Sequence, residues 1–112
     1  MEPAEDRQPM KSSVIARVYE VAAECKHDDW DGEEGRGIPQ VVVDRAVTFI
    51  RALPDGMLLP EVAPEPDGSI SFDWVMSRTR VFSVSIGSTD RLAFAWIDGT
   101  DRGHGVARFS RV

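Results

Sequence analysis

The repeat of the apolar residues changes once along this chain, near Leu58. Before that point they recur at helical spacing; after it they alternate, as in a half-buried strand. A chain patterned this way puts helices first and strands second, which predicts an α+β domain. "SSVIARVYEVAAEC" carries Val14, Val18, Val21, Ala22 and Cys25 on one stripe and predicts a helix over 13–25. Ser12 or Ser13 is placed to cap it, since a hydroxyl can accept an orphan backbone N–H. "PQVVVDRAVTFIRAL" predicts a second helix over 39–53, with Pro39 in its first turn. Its buried face is Val42, Val43, Ala46, Val47, Ile50 and Leu53, and "LPDG" stops it.

Past the switch, "LLPEV" predicts a short strand, and its proline marks an edge position. "PEPDG" supplies a turn. "SISFDWV", "RVFSVSIG" and "RLAFAWID" each place large apolar residues on one face, among them Phe72, Trp74, Phe82, Val84, Leu92 and Phe94. "HGVARFS" offers a further edge strand. Short turns between neighbours imply an antiparallel meander. The expected fold is therefore α+β: two N-terminal helices packed on one face of a four- or five-stranded antiparallel meander, its sheet running from about 58 to 109. The expected core joins Val18, Ala22, Val43, Val47 and Ile50 to those strand residues. Residues 1–11 are expected to be disordered, being polar, proline-containing and aperiodic, and 12–112 to form one domain.

At 112 residues and 42% hydrophobic content the chain can bury a core without staples. Its single cysteine, Cys25, excludes an internal disulfide framework and fits a reducing cytoplasm. The start, "MEPAEDRQPM", lacks the apolar region of a signal peptide, and no apolar run reaches the roughly 20 residues of a membrane helix. The formal net charge of −6 argues against a nucleic-acid binder, whose affinity rests on basic residues at phosphates. Arg78, Arg80, Arg91, Arg102, Arg108 and Arg111 nevertheless leave room for a local basic strip in the C-terminal half.

The most conspicuous polar stretch is "HDDWDGEEGRG", His27 to Gly37, with five carboxylates, one tryptophan and three glycines. As a calcium loop it fails, because Glu34 stands where the turn-forming glycine is required. The chain's one cysteine and two histidines fall short of a zinc site. No cofactor is expected. Two readings stay open: a helix connector anchored by a buried Trp30, or a partner-binding loop. "GTDRGHG", Gly99 to Gly105, is the other polar segment; it lacks the lysine and the strand–loop–helix order of a phosphate loop, and His104 has no evident nucleophile.

"WDGEEG", "LPEVAPEPDGSISFDW" and "FSVSIGSTDRLAFAWIDG" together resemble a group of small uncharacterised bacterial proteins, over about Trp30 to Phe109. That group's pattern is WDG-x-G-A, a helix, PE-V-PDG-I-DW, then SVSIG and L-A-Y-A. Here Arg36-Gly37 replaces the usual small residue, and Phe94-Ala95-Trp96 stands near the expected Tyr-Ala. The resemblance implies the fold and no activity. It draws attention to Trp30, Asp31, Gly32, Asp73 and Trp74.

The second face of the expected sheet carries Ser71, Asp73, Ser83, Ser85, Ala93 and Ala95. Exposed sheet faces usually carry longer polar side chains, so this one is open to close approach by another chain, unless the protein's own N-terminal segment covers it. Three functions compete. The first is a small acidic, non-enzymatic protein that binds and modulates a partner protein, of the antitoxin, immunity or phage-inhibitor type. Its contact would use Asp29, Trp30, Asp31 and Glu33 from the loop, with Ser71, Asp73, Ser83 and Ser85 from the sheet, against a partner or a second copy. The second is a small enzyme or ligand-binding domain using the sheet face, Asp73, His104 and the Gly99–Gly105 loop. The third is a nucleic-acid accessory using the C-terminal arginines.

Overall fold

The computed structural model describes residues Met10–Arg108. Two helices, α1 (Lys11–Glu24) and α2 (Gln40–Ala52), precede five strands: β1 (Glu61–Pro64), β2 (Ile70–Ser77), β3 (Arg80–Ile86), β4 (Arg91–Asp98) and β5 (Asp101–Arg108). The strands pair antiparallel in chain order, as the meander reading expects. Both helices pack on the large-residue face. Val14, Val18 and Val21 of α1 and Val42, Val43, Ala46, Val47 and Ile50 of α2 meet Ile70, Phe72, Trp74, Val84 and Ile86 of the sheet. The register pairs Phe72 with Val84 and Trp74 with Phe82, so Phe72 and Phe82 share that face as expected.

Not all of the expected core is sealed. Val18, Val43, Val47, Ile50, Phe72, Trp74 and Val84 are buried, whereas Ala22, Phe82, Leu92 and Phe94 pack against the core half-exposed. The helices cover β1, β2 and β3, and β4 and β5 extend past them. Aromatic rings bridge this margin: Phe49 stacks on Phe72 at 5.4 Å, Trp74 meets Phe82 at 5.7 Å, and Phe82 meets Phe94 at 6.4 Å.

Several boundaries differ from the sequence reading. The first helix begins at Lys11, with Met10 at the cap position, so Ser12 and Ser13 lie inside the first turn and do not cap it. Lys11 is the reason: its ammonium donates to the carbonyls of Arg51 (3.2 Å) and Leu53, at the C-terminal end of α2, where the helix dipole favours a cation. Lys11 is thus structured, and the expected disordered segment falls, up to Pro9, outside the described residues. In the second helix Pro39 is the cap residue, one position before the first turn, and Leu53 is half-buried.

The first strand starts at Glu61 rather than Leu58. The carbonyl of Leu58 accepts the indole N–H of Trp74 at 2.7 Å, which ties the connector across the sheet in place of a ladder bond. The last strand starts at Asp101, so only Gly99 and Thr100 of the expected Gly99–Gly105 loop form a turn. Cross-strand partners explain this. Trp96 pairs with Gly103 and Phe94 with Gly105, and a Cβ at either glycine would lie 2.7 Å or 2.6 Å from the opposing ring. The rings lie across the glycine backbone, which supplies the packing that a glycine-rich strand lacks.

Candidate functional site

Strand alternation puts two rows of small side chains on the face away from the helices. From β1 to β5 one row reads Ala63, Ser71, Ser85, Ala93 and Val106, and its neighbour reads Glu61, Asp73, Ser83, Ala95 and His104. The four sheet residues singled out in the sequence are therefore brought together, Ser71 beside Ser85 and Asp73 beside Ser83. Among the described residues both helices lie on the opposite face. Val75 is 53% exposed and Val106 61% exposed on this open side, and Ile97, in the row of Val75, is exposed as well.

Two of the hydroxyls here already have partners. Ser71 donates to Asp73 Oδ1 at 2.8 Å, and Ser85 donates to Glu65 Oε1 from the turn after β1. Ser71 is only 8% exposed. The hydroxyl hydrogens of Ser71 and Ser85 are thus satisfied inside the chain. Charge is segregated at its margins. Glu61 and Asp73 stand on the β1–β2 side, and Glu65 reaches from the turn after β1 to Ser85 of β3; Arg91, Arg102 and Arg108 stand on the β4–β5 side, Arg91 paired in register with Arg108. Among the described residues the ion pairs are made elsewhere, by Lys11, Arg17 and Arg80.

The acidic loop is built inward. Asp31 Oδ1 accepts the backbone N–H groups of Glu33 and Gly35, Asp29 Oδ1 that of Glu34, and Asp28 Oδ1 that of Gly37, each at 2.8 Å. The N–H bonds from Glu33 and Gly35 hold the Asp31 carboxyl below its ordinary pKa. Trp30 is half-buried against the core and donates its indole N–H to the Arg36 carbonyl at 2.7 Å. Glu33 faces solvent. Arg36 N–H bonds to the Pro66 carbonyl at 2.7 Å, which docks the loop on the β1–β2 turn. Asp29, Trp30, Asp31 and Glu33 thus belong to the helix connector, while Ser71, Asp73, Ser83 and Ser85 belong to the open sheet face. Cys25 closes α1 and is buried, and burial pushes its thiol pKa up, away from nucleophilic character.

The residues of the enzyme alternative do not converge. Asp73 and His104 occupy one row, but Ser83 and Ala95 stand between them, and three strand spacings amount to about 14 Å. A cavity of about 280 Å³ lies near the start of α2, lined by Pro39, Val42, Asp67, Ser69, Ser88 and Thr89, and includes neither residue. Among the described residues no helix is long and apolar enough to cross a membrane.

Glu61, Glu65, Ala63 and Val106 join the open face without having been singled out in the sequence, and Arg91, Arg102 and Arg108 join it from the arginines noted there as a possible basic strip. Their places follow from the β1 and β5 registers, which local patterning set only approximately. No family model matches the chain, and neither does a curated protein or a solved structure.

Proposed function

We propose that this chain is a non-enzymatic docking protein of the antitoxin, immunity or phage-inhibitor type, which engages a protein through the open face of its sheet. The observation that carries this reading is the state of Ser71 and Ser85. Both hydroxyls are bonded within the chain, to Asp73 and Glu65, on a floor of alanine and serine. Covering a face of this kind strands few polar hydrogens, and stranding a buried donor costs about 1–3 kcal/mol. The small side chains also let a second backbone come close, and they lose little rotamer freedom when covered. The buried Cys25 thiol suits a reducing cytoplasm, where we place the protein.

The test is site-specific cross-linking in the organism of origin. Cys25 is buried, so a cysteine introduced at Ser83 can be labelled selectively with a photo-cross-linker. A control label goes on Ala16, which is exposed on α1. The expected outcome is one defined protein adduct from position 83 and none from position 16. Equal adducts from both positions, or none from position 83, would remove the docking reading.

A further inference from the structure

We infer that the cavity at the start of α2 is a binding site for a small zwitterion, an α-amino acid. Two poles meet there. The first is a set of hydrogen-bond donors. Pro39 caps α2 without a side-chain bond, and the amides of Gln40 and Val41 have no partner among the described residues. Their neighbours Pro39 and Val42 line the cavity, so the partial positive charge of this helix end lies at its wall. Ser69 lines the same cavity. It is 7% exposed, and its hydroxyl has no hydrogen-bond partner among the described residues. Nearly buried hydroxyls are normally satisfied, and a ligand in the cavity would supply the partner this one lacks. A Cβ at Gly87, also in the lining, would lie 3.1 Å from the Ser69 oxygen, so the glycine leaves that hydroxyl open to approach.

The second pole is acidic. Asp67 lines the cavity as well, and its Oδ1 accepts the Ser69 N–H at 2.9 Å, which holds the carboxylate close to the donors. A simple anion is attracted by the helix end and repelled by Asp67. A simple cation meets the reverse. A ligand that carries both charges a short distance apart satisfies both poles. Its carboxylate accepts from the helix-end amides and the Ser69 hydroxyl, and its ammonium donates to Asp67. The volume of about 280 Å³ admits a small amino acid, and Pro39 and Val42 give its side chain an apolar surface. The inference goes beyond the docking reading and does not rest on it, because the lining includes none of Ser71, Asp73, Ser83 and Ser85.

The experiment follows the amide resonances of the whole chain as L-alanine is added, with acetate and methylammonium as probes that carry one charge each. L-alanine is expected to shift the amides of Val41, Ser69 and Ser88 saturably, with a Kd of about 1 mM. Acetate and methylammonium should each bind at least about tenfold more weakly, since each lacks one pole. Ser69→Ala breaks no side-chain bond among the described residues, so it should melt like the wild type and bind L-alanine about fivefold more weakly. Asp67→Asn keeps an oxygen for the Ser69 N–H and removes the charge, so it should weaken L-alanine and spare acetate. Three results overturn the site: no saturable shift up to about 20 mM L-alanine, acetate bound as tightly as L-alanine, or unchanged L-alanine affinity in either folded variant. The docking reading is judged separately, by the adducts at position 83.

Discussion

A Cβ built at Gly37 would run into the backbone carbonyl of Lys26, beside the point where Ile38 N–H bonds to the Cys25 carbonyl at 2.9 Å. The chain returns against the end of α1 here, and only a residue without a side chain allows that approach. Gly37→Ala is expected to lose about 1–3 kcal/mol of stability, the ordinary cost of forcing an extra carbon into a packed site, measured as a lower denaturant midpoint. Asp31 works in the same loop through its charge. Its folded pKa lies below the ordinary 3.8, so its contribution is fully present above that value. The contribution is lost as pH falls through the lower folded value, because protonation weakens its bonds to the Glu33 and Gly35 amides. Those two amide resonances should shift together in an NMR titration, with a midpoint below that of an exposed aspartate. A midpoint at or above the ordinary value would show that the carboxylate does not hold the loop.

The five strands are not equally sealed, and substitutions should report it. Phe72 is 0% exposed beneath Phe49, and Phe72→Ala should cost about 3–5 kcal/mol. Phe82 sits where the helices end; with part of its ring in water, Phe82→Ala should cost roughly half as much. Equal losses in denaturant melts would mean that the core continues under β4. At the outer hairpin, Gly105→Val is expected to displace the Phe94 ring, whose tip lies 2.6 Å from a Cβ at that site. The ring can swing away, so the expected loss is about 1 kcal/mol rather than unfolding. Faster amide exchange in β5, with little change in β2, would mark the effect as local.

The described residues form a two-layer domain in which the helices cover one sheet face and leave the other open. Ser85→Arg tests that asymmetry directly. The new side chain stands on the open side and loses one hydroxyl bond to the Glu65 carboxylate, so stability should fall by about 1.5–3 kcal/mol without unfolding the chain. Docking should be blocked sterically. Unfolding of this variant would mean that the chain itself covers the face.

The helices and the three central strands were legible from period alone. Val14, Val18 and Val21, or Phe72, Trp74 and Phe82, declare a buried side by spacing that no distant residue is needed to interpret. The two ends of the sheet and the start of α1 were not legible, because each depends on a partner remote in sequence. Lys11 extends its helix by reaching the end of α2; Trp74 takes the Leu58 carbonyl; Gly103 and Gly105 become strand because Trp96 and Phe94 lie over them. The acids of the loop were legible as a cluster, but only folding turned three of them onto the backbone. The serines of the open face were visible by alternation. Their satisfaction by Asp73 and Glu65, and the separation of acid from arginine across five strands, were decided by register, which side-chain spacing within one strand does not encode.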